Sequence, residues 1–237
     1  MIRRVDQTGA AQADGVVIVI DVIRAFTVAG YAFEGGAKKL WLVRTVEEAR
    51  ALHKRQSDAL LIGEVRGRLI PGFDLNNSPA QMAAADVHGR LLIQRTGAGT
   101  QGAVNATNAT HILLCALTNA SATAQYAGEL AASIGESITL LPTATPHGNT
   151  EQNEDDICAD YVEALLQGQD GASDIVKRGI DHLHNCGRFE RHQAGDSDFP
   201  SEDIPALLSV NCFNFAMIGR QQEWQGVRYV EVKRVDM

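Results

Sequence analysis

Between Gly63 and Pro79 the chain reads Gly-Glu-Val-Arg-Gly-Arg-Leu-Ile-Pro-Gly-Phe-Asp-Leu-Asn-Asn-Ser-Pro, with two carboxylates, Glu64 and Asp74, beside two guanidinium groups, Arg66 and Arg68. Carboxylate oxygens are ligands for a hard cation, and guanidinium forks pair with oxyanions. These are the components of a phosphoryl-transfer site. The stretch is also long for a connection inside a compact domain, and loops of that length commonly carry function. Two other segments have similar chemistry. Asp21-Val22-Ile23-Arg24 follows an apolar run, and Arg95-Thr96-Gly97-Ala98-Gly99-Thr100-Gln101-Gly102 is a glycine-rich turn whose amides suit a phosphate at a helix N-terminus.

The elements that must position these groups are legible from the apolar pattern. Short β-branched runs at Val16 to Ile20, Leu40 to Val43, Leu60 to Ile62, Leu91 to Ile93, Ile112 to Ala116 and Ile138 to Leu141 alternate with helical spacing. Continuous runs of that length read as buried parallel strands, which predicts an α/β fold: a three-layer α/β/α sandwich with a mostly parallel sheet. Thr45-Val46-Glu47-Glu48 has the form of a capping box, and Ser78-Pro79 sets a favoured cap before a proline at the first helical position. Helical spacing recurs over Ala120 to Ser133 and Asp155 to Leu166, the latter preceded by the polar linker His147 to Asn153. From Gly168 to Asp203 the chain is polar and helix-like, and Val227 to Val232 alternates like a terminal strand suited to a sheet edge. The expectation is one domain over 1–237, with an alternating core over 1–150 and a helical segment plus terminal strand over 151–237.

In an open α/β sheet, ligands collect beyond the carboxyl ends of the strands. Here the residues after each run are polar: Asp21 and Arg24, then Glu64 and Arg66, then Arg95 to Thr100, then Thr118-Asn119-Ala120-Ser121. Each also has a plain structural role open to it. Asp21 can cap a helix beginning near Ile23 with Arg24 paired to it on the surface, Glu64 and Asp74 can be solvated loop acids, and the Arg95 to Gly102 turn can be only a tight bend. Gly97, Gly99 and Gly102 satisfy G-x-G-x-x-G, but Thr118-Asn119 stands where a dinucleotide site needs an acidic ribose partner.

Lys plus Arg number 21 against 29 Asp plus Glu, a net charge of −8, which argues against a broad nucleic-acid or anionic-membrane surface and requires a local basic pocket for an anionic substrate. No apolar run approaches the roughly 20 residues that span a bilayer, and nothing signal-like follows Met1, so a cytoplasmic location is expected. Cys115, Cys158, Cys186 and Cys212 form no C-x-x-C pair and read as reduced, mostly buried thiols. His182, His184, Cys186 and His192 form a cluster open to a metal, but without a C-x-x-C partner the three histidines read better as surface residues. Glu154, Asp155 and Asp156 supply negative charge suited to a helix N-terminus.

Taken together, Val19-Ile20-Asp21-Val22-Ile23-Arg24-Ala25, Gly63-Glu64, Gly72-Phe73-Asp74-Leu75-Asn76-Asn77-Ser78-Pro79, the Thr96 to Thr100 turn and Glu154-Asp155 resemble the 2-phosphosulfolactate phosphatase family, the ComB-like enzymes of coenzyme M biosynthesis. The resemblance runs in order over about the first two-thirds of the chain. It implies a magnesium-dependent phosphatase that removes phosphate from a small sulfonated acid to give sulfolactate. Where the family tends to show Thr-Asn-Gly-Thr-Arg, this chain has Gly97-Ala98-Gly99-Thr100-Gln101, so an amide and a guanidinium are missing from the turn and a related monoester comes into play as substrate.

Other phosphatase chemistries are excluded by position. No cysteine has an arginine six residues on, Ile23 stands where an aspartyl-phosphate enzyme needs a second Asp, and Arg191-His192 is followed by Gln193 rather than Gly. Metal-assisted hydrolysis remains, with Mg²⁺ held by Asp21 and Glu64 and with Asp74 as a further candidate, and with a carboxylate nucleophile such as Asp21 left open. Arg24 joins Asp21, Glu64 and Asp74 as the catalytic set. Arg66, Arg95, Thr96, Gly97, Gly99 and Thr100 are the expected phosphate ligands, and Asn76 and Asn119 are expected to orient the substrate. A homodimer is the expected assembly. The competing expectation is a non-catalytic anion-binding or regulatory protein on the same scaffold.

Overall fold

The computed structural model describes residues 1–144 and 153–237, so the 147–153 linker, apart from Asn153, lies outside the described residues. In chain order the described elements are β1 (Ile2–Arg4), β2 (Gly15–Ile20), α1 (Ala25–Glu34), β3 (Lys39–Val43), α2 (Val46–Arg55), β4 (Leu60–Val65) and β5 (Arg68–Leu69). They continue with α3 (Pro79–Ala84), β6 (Leu91–Arg95), α4 (Gly99–Asn105), β7 (Ala109–Cys115), α5 (Ala120–Ile134), β8 (Ile138–Pro142) and α6 (Glu154–Leu166). The C-terminal part holds α7 (Ala172–Asn185), the short α8 (Glu190–Gln193) and α9 (Asp203–Leu207), and the hairpin β9 (Phe215–Trp224) and β10 (Val227–Asp236).

The strands form one sheet in the order β1-β8-β2-β7-β9-β10-β3-β6-β4-β5. Two parallel blocks, β1-β8-β2-β7 and β3-β6-β4, flank the antiparallel β9–β10 hairpin, and helices cover both faces in a three-layer α/β/α sandwich. The alternation within β2 shows why the sheet is covered twice. Val16, Ile18 and Ile20 pack on one face with Ala124, Ala127, Cys158 and Val162 of α5 and α6. Val17 and Val19 pack on the other with Phe26, Ala29 and Val104 of α1 and α4. Side chains that alternate by two and are apolar at every position demand cover on both sides.

Local signals set the helix starts. The Glu48 amide donates to Thr45 Oγ1 at 3.0 Å and the Thr45 amide returns to Glu48 Oε2 at 3.1 Å, which completes the capping box. Ser78 Oγ accepts from the Gln81 amide at 3.2 Å with Pro79 in the first turn of α3. The thiols are free: Cys115 and Cys158 are buried, Cys186 is half-buried and Cys212 is exposed. No helix among the described residues is long and apolar enough to cross a membrane.

One expectation is corrected here. The terminal strand is not at an edge but in the middle of the sheet, paired with β9 on one side and β3 on the other. The polar residue that made Val227 to Val232 look half-exposed is Glu231. It stands opposite Trp41 and accepts from Lys39 Nζ at 3.0 Å and Trp41 Nε1 at 3.2 Å, so its charge is satisfied across the strands. Tyr229 meanwhile packs on one face and Val230 and Val232 on the other. If the hairpin is the centre of the core, truncating Phe215, which is fully buried at the start of β9, must be costly. Phe215→Ala should lower unfolding free energy by about 3–5 kcal/mol in urea titration, whereas an edge hairpin would lose far less.

Candidate functional site

The carboxyl ends of β2, β4 and β6 open into a pocket of about 720 Å³. Its floor carries Asp21, Glu64 and the Arg95 to Ala98 turn, and its rim carries Arg24, Arg66 and Gly67. A C-terminal arm spanning 186–214 completes the wall with Arg188, Arg191, His192 and Phe199. Asp21, Arg24, Glu64, Arg66, Arg95, Thr96 and Gly97 therefore line one pocket, and the arm joins them.

The two floor acids are buried, Asp21 4% and Glu64 8% exposed, and both are held by backbone amides. Asp21 Oδ1 accepts from the Ala25 amide at 2.9 Å, at the start of α1, and its Oδ2 accepts from Gly99 at 2.7 Å. Glu64 Oε1 accepts from Gly97 at 2.6 Å and its Oε2 from Gly67 at 2.5 Å. The amides expected to cradle phosphate at Gly97 and Gly99 thus hold the protein's own carboxylates. A Cβ on residue 99 would sit 2.6 Å from Asp21 Oδ2, which explains glycine there. Burial pushes the Asp21 carboxyl up to about 6, opposed in part by the Ala25 and Gly99 amides and reinforced by the charges of Glu154 and Glu64.

Behind Asp21 stand Glu154 and Asp155, both 1% exposed at the start of α6. Asp155 accepts from the amides of Val22 at 2.8 Å, Thr143 at 3.1 Å and Ala144 at 2.8 Å, which ties α6 to the ends of β2 and β8. Burial, then the charges of Asp21 and Glu154, raise its pKa well above the carboxylate range. Glu154 is paired with Arg188, whose Nε lies 2.6 Å from Glu154 Oε2. Among the described residues no group of three or more His, Cys, Asp or Glu side chains converges as a metal cage. The carboxylates in the pocket lining are Asp21 and Glu64, beside the neutral oxygens of Gln7, Asn77 and Thr96.

The arginines divide by what they hold. Arg24 is buried and donates to the carbonyls of Asp198 at 2.7 Å and Gly67 at 3.1 Å and to Asp203 Oδ2 at 3.1 Å, so its partner is Asp203 rather than Asp21. Arg95 donates to the Arg44 and Glu64 carbonyls at 3.2 and 2.6 Å. Arg66 and Arg191 are exposed at the rim. Arg191 lies with its guanidinium carbon 4.5 Å from the Phe199 ring centroid.

Several expected residues do work elsewhere. Asp74 is exposed, outside the pocket lining, and its carboxylate accepts from the Leu61 amide at 2.7 Å, bracing β4. Asn119 is buried in the turn before α5, bonded to Ala116, Leu114 and Thr123 at 2.9–3.1 Å, because the chain there needs its backbone groups satisfied. Asn76 binds Asp198 Oδ1 at 2.7 Å and so anchors the arm. Thr96 lines the pocket, but its hydroxyl and that of Thr100 bond mainly within the turn, and Gln101 donates to the Arg44 and Thr96 carbonyls.

His192, read from sequence as a surface residue, is 3% exposed in the pocket wall, edge-on to Phe199 at 5.5 Å. Both ring nitrogens lack a hydrogen-bond partner among the described residues, an unmet capacity that costs roughly 1–3 kcal/mol. Burial first, then the Arg24 charge, lower its pKa to about 4. His182 and His184 are exposed. Arg188, Arg191 and Phe199 were not anticipated. The run Arg188-Phe189-Glu190-Arg191, which spaces two guanidinia three apart, was the available signal.

The family model for 2-phosphosulpholactate phosphatase matches residues 2–188. A probable 2-phosphosulfolactate phosphatase of Bacillus subtilis is 44% identical over 205 residues, covering 86% of each chain. A protein of Deinococcus radiodurans with the same name is 39% identical over 174 residues, 71% of each chain, and one of Thermus thermophilus is 44% identical over 127 residues, 53% of this chain and 52% of its own.

The buried acid and the buried imidazole make opposite contributions to stability. Asp21 holds its proton to about pH 6 when folded but ionises near 3.9 unfolded, so its contribution is complete below about pH 4 and lost as pH rises through 6, a swing of order 3 kcal/mol. His192 titrates near 4 when folded and near 6.5 unfolded, so its contribution is complete above about pH 6.5 and lost as pH falls toward 4. Urea unfolding in EDTA from pH 4 to 7 should therefore tilt in opposite senses. Relative to wild type, Asp21→Asn should gain stability with rising pH and His192→Phe should lose it, and parallel profiles would refute the assignment.

Proposed function

This chain belongs to the 2-phosphosulfolactate phosphatase family, and we propose that it hydrolyses a small phosphate monoester bearing a further acidic group, 2-phosphosulfolactate on the precedent of its relatives' names, to the free alcohol and inorganic phosphate. The carrying observation is the meeting of two buried, amide-held carboxylates with an excess of guanidinium groups in one pocket at the strand ends. Buried acids that repel one another suit a cation, and the surrounding arginines suit the anion that would bring it.

Mg²⁺ fits this donor set. It commonly takes one or two protein carboxylates, keeps several waters and completes its shell with substrate phosphate, so Asp21 and Glu64 suffice without Asp74 or a dedicated cage. When bound it would neutralise phosphoryl oxygens and lower the pKa of a coordinated water. The chain's own part is placement. The Gly97, Gly99 and Gly67 amides fix the two carboxylates, leaving each with lone pairs to spare. Arg95, oriented by the Glu64 carbonyl, presents positive charge beside the same floor. Attack of water on phosphorus and departure of the ester oxygen then proceed with the phosphoryl charge met by fixed groups.

A non-catalytic anion-binding role draws on one observation, that the Gly97 and Gly99 amides are already engaged. Turnover separates the two. The proposal also carries a homodimer and a cytoplasmic location, which size-exclusion chromatography and fractionation would check. Phosphate release from 2-phosphosulfolactate should require Mg²⁺ and stop in EDTA. Glu64→Gln and Asp21→Asn should each lower kcat on the order of 10²-fold, the scale of one lost electrostatic group in an active site. Normal turnover in both variants would overturn the roles given to these acids.

A further inference from the structure

Five arginines reach the pocket against two carboxylates in its lining, and they are not equivalent. Arg24 and Arg188 are paired with Asp203 and Glu154, and Arg95 ends on carbonyl oxygens. Arg66 and Arg191 make no hydrogen bond or ion pair among the described residues, the first placed by the backbone of its turn and the second by an aromatic face. Arg66 occupies the first central position of the β4–β5 turn at φ +55°, with Gly67 at +80°. That conformation favours Asn or Gly at both positions, so an arginine there is selected against backbone preference. Gly67 cannot be replaced in turn, since a Cβ would meet Phe199 at 2.1 Å. The same Phe199 ring carries the Arg191 guanidinium at 4.5 Å, and His192 stands against it with both ring nitrogens unpartnered and buried.

We propose that Arg66, Arg191 and His192 form a subsite for the second anionic group of the substrate, a sulfonate or carboxylate on its carbon framework, separate from the Asp21 and Glu64 floor where the phosphoryl group reacts. The inference rests on the phosphatase reading and assigns the substrate class at that same pocket. A phosphate monoester with a second acid needs two sets of cationic or N–H donors, and the lining holds two. Among the described residues Arg66 and Arg191 supply forks without neutralising partners, and the His192 ring supplies an N–H that no acceptor within hydrogen-bond distance uses, Asp203 Oδ2 standing 4.0 Å from Nε2. The depressed pKa of His192 keeps that ring neutral, so it can donate without adding a buried charge. Arg191, His192 and Phe199 all lie beyond residues 2–188, the segment that the family model matches. The subsite also accounts for the turn at Gly97 to Gln101 lacking an arginine, since guanidinium groups arrive at the same pocket from the β4–β5 turn and the arm.

The test compares three substrates of one shape: 2-phosphosulfolactate, 2-phospholactate and isopropyl phosphate, which lacks a second acid. Arg191→Ala, Arg66→Ala and His192→Phe should each cost at least tenfold more in kcat/KM on 2-phosphosulfolactate than on isopropyl phosphate, with the difference in KM. A loss confined to the sulfonated ester assigns the subsite to sulfonate, and equal losses on the sulfonated ester and phospholactate, which share the carboxylate, assign it to carboxylate. Equal losses on all three, or none, would overturn the proposal. Should wild-type protein release phosphate from none of them, the phosphatase reading fails, and calorimetry with sulfolactate decides the subsite alone. Binding lost in Arg191→Ala would uphold it, whereas no binding to wild type or equal binding to the variant would sink it.

Discussion

The Arg24 guanidinium holds the pocket together. Its side chain is 3% exposed, and it joins three pieces of chain distant in sequence: the Gly67 carbonyl of the β4–β5 turn, the Asp198 carbonyl of the arm and the Asp203 carboxylate at the start of α9. Asp203 in turn accepts from Ser78 Oγ at 2.6 Å and the Ala80 amide at 3.1 Å, so the beginning of α3 belongs to the same cluster. A buried ion pair contributes little net stability when it forms, but removing one partner leaves an uncompensated charge at a cost of about 3–5 kcal/mol. Its value here is geometric. Burial pulls the guanidinium's pKa down and the Asp203 carboxylate opposes that, so the buried charge is compensated where those segments meet.

The acids on the floor follow a related logic. Glu64 and Asp21 take amides from three different turns, and each bond fixes a loop as much as it fixes a carboxylate. An anion-binding turn satisfied internally is rigid before any ligand arrives, which lowers the ordering cost of binding. The unfavourable side is electrostatic. Asp21, Glu64, Glu154 and Asp155 crowd acids into a buried space, which raises the pKa of Asp21 and Asp155, and among the described residues only Glu154 has a direct cationic partner, in Arg188. A fold that tolerates this holds a reserve of repulsion beneath the pocket floor.

Much of this arrangement was legible in the sequence, and the failures have physical causes. The apolar runs gave the strands because two-sided burial leaves few polar positions, and the strand ends showed the acids and arginines because ligand sites lie there. Asp21, Glu64, Arg66, Arg95 and Thr96 accordingly meet in one pocket. Asp74, Asn76 and Asn119 were misplaced since a polar residue in a turn serves backbone satisfaction as readily as ligand contact, and residue type alone does not separate the two. His192 and the arginines of the arm were missed because their segment is polar and mostly exposed in pattern. Phe189 and Phe199 of the arm together with Arg24 and Asp203 enclose the histidine, and the arm's irregular path leaves no periodicity to show it.

The position of the last hairpin explains why an arm reaches the pocket at all. β9 runs antiparallel to β7, with Leu114 opposite Met217 and Ile112 opposite Gly219, so Phe215 enters the sheet from the carboxyl side of the parallel strands. The chain leaving α7 must therefore arrive at that edge before it turns into the sheet. The Asn211 and Phe213 amides bond to the Leu117 and Thr118 carbonyls there, each at 2.9 Å. Parallel strands joined by crossover helices leave a cleft open at this edge. The ladders of β9 with β7 and of β10 with β3 set the two parallel blocks antiparallel to one another, and the connection into β9 crosses the cleft where the ends of β2, β4 and β6 meet, carrying the side chains it bears. In this chain those are Arg188, Arg191, His192 and Phe199, so the same topological feature that fills the centre of the sheet also brings the second wall of the site.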